Sequence, residues 1–264
     1  MKIFYFCKMK AKLNFEHFRP DLEDYLPSLS VDCVVFGYKN EALYVLLPRW
    51  TGSQYWSLPG GFIYKDEDLD NAAARILKDR TGLDNLFLKQ LHTFGRTQRR
   101  NVKELSKYLD YFDINTTTQK WSRQRFISVA YLAMVNPDTF VPISDSLSDA
   151  CEWLPLSELP QLVFDHNEII AKAKEYIKIQ IKYEPIGISL LPDKFTMKSL
   201  QKLYEVVLER KLDRGNFQKK VLKLGVLNKH EKLITGGAYR SPYLYSFNKE
   251  KYQEFLKSGI GFLH

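Results

Sequence analysis

The chain has 264 residues, 45% of them hydrophobic and 27% charged, with 39 Lys+Arg against 31 Asp+Glu. That content excludes a disordered chain and is enough for one large core or two modest domains. The longest apolar runs are of strand length, which excludes a bilayer-spanning helix. The three widely spaced cysteines, Cys7, Cys33 and Cys151, exclude a disulfide framework or a cysteine zinc site.

The cysteine usage points to a reducing, cytoplasmic compartment. The opening "MKIFYFCKMK" has an apolar stretch too short for a secretory signal and reads as a ragged terminus. Charge is unevenly placed. Residues 186–264 hold 15 Lys+Arg against 7 Asp+Glu, which leaves 24 against 24 in the first 185. A neutral body with a basic tail predicts one part for a small molecule and one for a polyanion.

In chain order, "VDCVVFGY" (31–38) and "EALYVLLPR" (41–49) predict two strands around a Lys39-Asn40 turn. "YWSLPGGFI" (55–63) predicts a strand broken at Pro59, with Gly60 and Gly61 permitting a tight loop. From Asp66 to Arg80, Leu69, Ala72, Ala73, Ile76 and Leu77 recur at helical spacing, and Gly82 stops the helix. Strands are predicted over 85–95 and 125–135. Between them, Arg96 to Gln124 is polar and long for a connection. "ACEWLPLSELP" (150–160) closes the body, and 165–183 reads as a helix with Asp165 as N-cap. "EPIGISLLPDK" (184–194) carries two prolines and a glycine at the point where the charge balance changes. We place the domain boundary there, between 185 and 186.

The tail opens on "FTMKSLQKLYEVVLER" (195–210), a helix capped by Thr196. Lys211 and Leu212 join it to a second helix, "DRGNFQKKVLKLG" (213–225), capped by Asp213 and ended by Gly225. Phe217, Val221 and Leu224 form its inner face. Asn216, Lys219 and Lys223 lie outward, with Arg214 at its start and Lys220 on its flank. "VLNKHEKLI" and "YLYSFN" follow as strands around the turn "TGGAYRSP", which carries Arg240. Helix, tight turn, basic helix and two-stranded wing is the winged helix-turn-helix arrangement. It predicts double-stranded DNA as partner, with Arg214, Asn216, Lys219, Lys220, Lys223 and Arg240 at the nucleic acid. The competing reading is a helical subdomain with a solvated lysine face.

In the body, Gly61, Glu67, Arg75, Leu77, Gly82 and Leu83 stand at the spacing of the Nudix box, in strand–loop–helix context. The first 160-odd residues resemble the Nudix family. Three glutamate positions of the box depart and fall on Ile76, Asp79 and Arg80, at i, i+3 and i+4 on one helical face. The resemblance implies that this face carries magnesium in the family. Ile76 has no lone pair, and Arg80 carries a permanent positive charge. The expectation is therefore no catalytic residue, no metal and no cofactor. The enzyme alternative is a hydrolase of ADP-ribose or another nucleoside diphosphate derivative, working through Glu67 and Asp79.

A pocket that no longer turns over ligand can still sense one. Its candidate lining is Arg49, Trp56, Phe62, Phe94, Arg96 and His166. The body followed by "LLPDKFTMKSLQKLYEVVLERKLDRGNFQKKVLKLGVL" is similar to the Nudix-related transcriptional regulators. The opening "DLEDYLPSLSVDCVVFGY" and the lost glutamates look more like their arabinose-responsive group than like those responding to ADP-ribose. The resemblance implies an α/β Nudix-like sandwich, residues 1–185, followed by a C-terminal winged helix-turn-helix domain, 186–264. It further implies a sugar or sugar-nucleotide effector, operator DNA and a homodimer, with no membrane partner. A third reading is a sugar-nucleotide binding module whose tail grips protein or RNA.

Overall fold

The computed structural model describes residues 22–97, 99, 124–233 and 241–258. Most of the polar segment 96–124 and the turn bearing Arg240 lie outside the described residues.

A six-stranded sheet organises the body. β1 (Tyr25–Lys39) and β2 (Ala42–Trp50) form a hairpin. Its turn is Asn40-Glu41, both at positive φ (51° and 56°), one residue later than the expected Lys39-Asn40. Two consecutive left-handed residues match the twist of a two-residue hairpin turn. β3 (Gly60–Tyr64) pairs with the first half of β1, and β2 with the second half. β5 (Ile127–Val135) runs parallel to β1, with Asp32 opposite Ala130. β4 (Lys89–Phe94) and β6 (Ser148–Pro155) complete the order β4-β5-β1-β2-β6. The strand expected from residue 85 begins only at Lys89, and Phe87 before it is 83% exposed.

Alternation along β1 sends successive side chains to opposite layers. Val31, Cys33 and Val35 pack on α1 (Leu69–Thr81) through Ala72, Ala73, Ile76 and Leu77. Gly82 ends this helix at φ 75°, donating its N–H to the Lys78 carbonyl at 2.7 Å. Only a left-handed residue closes the turn this way, and glycine adopts it without Cβ strain. Val34 and Phe36 face the other layer, against α2 (His166–Gln180) through Ile169, Ile170, Ala173 and Ile177. Asp32 lies on that second face.

The two glycines expected to permit a loop are strand residues instead. A Cβ on Gly60 would stand 2.4 Å from the Asp32 carboxylate, and one on Gly61 3.0 Å from Ile76. Their need is close approach rather than turning. Asp165 precedes α2 but makes no side-chain cap bond, because its carboxylate is spent on Arg99.

β7 (Phe195–Thr196), α3 (Met197–Leu208), α4 (Arg214–Lys223), β8 (Leu227–Lys232) and β9 (Tyr243–Phe247) form the second unit, with sheet order β7-β9-β8. The two-residue strand β7 and a closing helix, α5 (Lys249–Ser258), were not expected from the sequence. Thr196 Oγ1 accepts from the Ser199 N–H, and Asp213 Oδ1 from the Asn216 N–H, so both helix starts are capped as predicted. The α2-side core runs without interruption through Ile181, Ile186, Leu190 and Leu200 into Tyr204, Val207, Phe217, Val221 and Tyr245. Each such side chain contributes about 1.5–3 kcal/mol on burial. No helix among the described residues is long and apolar enough to cross a membrane.

Candidate functional site

Three places carry chemistry: the box helix α1, a buried charge cluster at the head of α2, and the outer face of α4.

On α1, Arg75 turns back toward the loop before the helix. Its Nε and Nη2 donate to Glu67 at 2.7 Å each, and Nη2 also donates to the Phe62 carbonyl at 2.9 Å. Glu67 accepts the Tyr64 N–H as well, so its carboxylate is fully engaged. The Arg75 hydrogen bonds outweigh partial burial and hold its carboxyl below the usual range. Ile76 is 2% exposed and packs on Gly61. Arg80 is ion-paired with Asp145, both side chains largely enclosed. Asp79 faces solvent, 3.6 Å from Arg75.

At the head of α2, Arg99 bridges two carboxylates. Its Nη2 donates to Asp32 at 2.8 Å and its Nε to Asp165 at 2.7 Å, while Nη1 reaches the Phe126 carbonyl. Ser128 Oγ donates to Asp32 at 2.5 Å. His166 Nδ1 accepts the Leu58 N–H at 2.9 Å, and its Nε2 lies 3.5 Å from Asp32. Burial pushes the His166 pKa down more than the Asp32 charge pushes it up, so the ring is neutral with its proton on Nε2. For Asp32, burial acts to raise the carboxyl pKa. The Arg99 charge, the bonds from Ser128 and Arg99, and His166 wherever it is protonated outweigh it and hold the carboxyl below its usual range. Since His166 is neutral, Arg99 is the charge that stabilises Asp32 near pH 7. Phe164, two residues before His166, sits at φ 53° and packs 5.4 Å from its ring.

On α4, Phe217 and Val221 are buried and turn inward. Arg214, Asn216, Lys219, Lys220 and Lys223 are all exposed. The joint before α4 is fixed from α3. The Leu212 N–H donates to Glu205 at 3.0 Å, and the Leu212 carbonyl accepts from Gln201 at 2.9 Å.

The NUDIX domain model matches residues 26–173, more than half of the chain. The chain belongs to the Nudix family. The model of the NrtR DNA-binding winged helix domain matches residues 187–247. A curated relative, the ADPR responsive transcriptional repressor NtrR of Acinetobacter baylyi, is 26% identical over 257 residues, 92% of this chain and 94% of the relative. The crystal structure of Shewanella oneidensis NrtR complexed with a 27mer DNA matches with a TM-score of 0.67 and 26% identity, covering 89% of this chain and 98% of that one. A MutT/nudix family protein from Enterococcus faecalis shares the fold, with a TM-score of 0.63 and 23% identity over 89% of this chain and 92% of that one. The architecture is thus a Nudix-like α/β domain followed by a C-terminal winged helix domain.

A Nudix magnesium site does not fit these residues. Hard cations take carboxylate and carbonyl oxygens. Ile76 is a buried hydrocarbon, Arg80 is a cation with its own counter-charge, and Glu67 is occupied by Arg75. Asp79 alone is left, with a guanidinium beside it. Among the described residues no group of three or more His, Cys, Asp or Glu could hold a metal ion.

The predicted ligand residues of the Nudix domain divide by place. Arg49 pairs with Asp149 at 2.8 Å and stacks 5.6 Å over Trp56. Phe62 packs 5.2 Å from Phe126. Phe94 packs on His92. Arg96 reaches the first turn of α2 through Glu168 at 2.9 Å, in an exposed pair. His166 is 3% exposed and faces the interior, as a support to Asp32 and Leu58. Arg240 lies outside the described residues. Sequence reasoning missed Asp32, Arg99 and Ser128. The available signal was Asp32, a lone charge inside the apolar run "VDCVVF".

Proposed function

We propose that this chain is a ligand-responsive transcriptional regulator that binds operator DNA through its winged helix and senses an ADP-ribose-like effector in its Nudix domain. One observation carries the reading: the outer face of α4, a capped and inwardly anchored helix whose Arg214, Asn216, Lys219, Lys220 and Lys223 are exposed together. A basic helix held this way suits the major groove, with lysines at phosphates and Asn216 at base edges. The likeness to a repressor and to a DNA-bound protein over nearly the whole chain supports it.

The effector follows from the relative named as ADPR responsive, ADPR being ADP-ribose. A pentose effector such as L-arabinose rests on sequence resemblance alone and gains no support from these relatives. A homodimer reading a palindromic site, and a cytoplasmic setting, complete the proposal. The chain is not a hydrolase in this reading, because the groups that would hold magnesium are replaced or occupied. The domain boundary is proposed at 185/186, where the two prolines and the change in charge balance fall.

The test is footprinting of the full chain on promoter fragments from its own genome, with magnesium and ADP-ribose turnover assayed in parallel. A protected, sequence-specific site without turnover supports the regulator. Turnover without a footprint supports the hydrolase.

A further inference from the structure

α2 carries charge contacts at both of its ends. At its head, Asp165 takes Arg99 at 2.7 Å and Glu168 takes Arg96 at 2.9 Å. Two to three turns on, Lys174 and Lys178 stand at i and i+4 on one face. They donate to the two oxygens of a single carboxylate, Glu209, at 2.6 and 2.7 Å. Glu209 belongs to the other unit and is the residue that ends α3.

Its conformation is unusual. Glu209 is left-handed, at φ 55° and ψ 35°, with its N–H turned back to the Glu205 and Val206 carbonyls. Glycine is favoured at such a position. A glutamate there gives up that ease and gains a carboxylate aimed at α2. Three residues later Leu212 is pinned by Gln201 and Glu205, and Asp213 then starts α4. The turn that presents α4 is therefore held from α3 on one side and from α2 on the other. A second tie between the units, Lys202 to Glu41 at 3.7 Å, lies on the same junction.

We propose that Glu209 is a positioning residue: at the rim of the apolar core that joins the two units, the Lys174–Glu209–Lys178 clamp fixes the turn before the DNA-reading helix α4 relative to α2. A helix of 15 residues is about 22 Å long, so α2 spans the distance from the Arg99 cluster to the clamp. In this proposal a displacement at its head, among Asp165, Glu168 and the side chains that meet them, is passed to the turn before α4 through Lys174 and Lys178. Exposed ion pairs add little to stability, so the clamp acts on orientation with small effect on folding. The regulatory use of this clamp rests on the regulator reading above; the positioning itself does not.

The experiment uses the full chain in four forms: wild type, Glu209→Gln, Lys174→Glu/Lys178→Glu, and the charge swap Lys174→Glu/Lys178→Glu/Glu209→Lys. The first readout is affinity for a footprinted duplex, with and without ADP-ribose. The second is the distance distribution, without DNA, between spin labels on Asn71→Cys in α1 and Leu222→Cys in α4, with Cys7 and Cys151 replaced by serine. We expect ADP-ribose to change wild-type DNA affinity by about tenfold or more. In the two broken-clamp forms that ratio falls to within about twofold of one, melting temperatures hold, and the label distances broaden. The swap restores both readouts. An unchanged ratio and unchanged distances in the broken-clamp forms would overturn the proposal. If wild type shows no response to ADP-ribose, the effector reading fails, and the label distances alone decide the positioning role: broadening upholds it and no change overturns it.

Discussion

Arg99 donates to Asp32 at 2.8 Å, and both side chains are more than nine-tenths enclosed. Buried pairs of this kind add little over a hydrophobic replacement, but removing one partner strands the other. Arg99→Ala would leave the enclosed Asp32 and Asp165 carboxylates without the guanidinium they share. The expected loss is about 3–5 kcal/mol of folding stability. Denaturant unfolding followed by tryptophan fluorescence measures it.

The same cluster predicts a pH dependence. His166 is folded as the neutral form, with a pKa below its unfolded value. Unfolded histidine takes up a proton as pH falls through about 6.5, and the folded ring resists, so stability falls with pH from there downward. Asp32 has the depressed pKa of a carboxylate that must stay charged. Its contribution is present at neutral pH and is lost at lower pH, below the ordinary aspartate value of about 3.9. His166→Gln keeps an acceptor for the Leu58 N–H and should abolish the upper step while leaving the lower one. Melting temperature against pH in the two proteins checks this.

Restoring the family's glutamates should damage the fold instead of reviving an enzyme. Arg80→Glu places a carboxylate against Asp145, in an ion pair whose side chains are about 13–14% exposed. The expected loss is about 3–5 kcal/mol. Ile76→Glu buries an ionisable group against Gly61 at a site only 2% exposed. Melting temperature and magnesium-dependent phosphate release should both be measured. A folded double variant that hydrolyses ADP-ribose would show that the box had lost only its ligands.

Gly60→Ala should be costly for a reason outside helix or turn propensity. Its Cβ would overlap Asp32 Oδ1 at 2.4 Å and crowd the Val31 carbonyl at 3.1 Å. Overpacking of this kind costs about 1–3 kcal/mol. The loss should shrink in an Asp32→Ala background, which a double-mutant cycle in urea would reveal.

Binding to DNA should carry the electrostatic signature of the α4 face. Replacing Lys219 or Lys223 by alanine should weaken all duplexes alike and lower the salt slope by about 0.9 for each phosphate that is no longer neutralised. Asn216→Ala should instead change the ranking of operator variants, by about 1–3 kcal/mol at one position. Anisotropy titrations at several salt concentrations separate the two behaviours.

Local pattern made much of this legible in the sequence. Helical spacing in 69–81, the stop at Gly82, the caps Thr196 and Asp213 and the inner face of α4 are set by neighbours within a turn or two. The box spacing located α1 and the positions where a metal site fails. What the sequence withheld is long-range pairing. Arg99 lies in a polar segment without periodicity, and its partners are 67 and 66 residues away. Asp165 looked like an N-cap because its local setting is that of one, yet a distant guanidinium claims it. Gly60 looked like a turn glycine, whereas the side chain that requires it comes from a neighbouring strand. The two-residue strand β7 exists only because β9 pairs with it.

The regulator reading stands or falls most directly on the affinity of the full chain for its footprinted duplex, titrated with ADP-ribose and separately with L-arabinose. The expected result is tight, sequence-dependent binding that ADP-ribose shifts by about tenfold or more and L-arabinose leaves unchanged. No preference over random duplex would contradict the regulator reading, and a shift with L-arabinose alone would contradict its ADP-ribose effector.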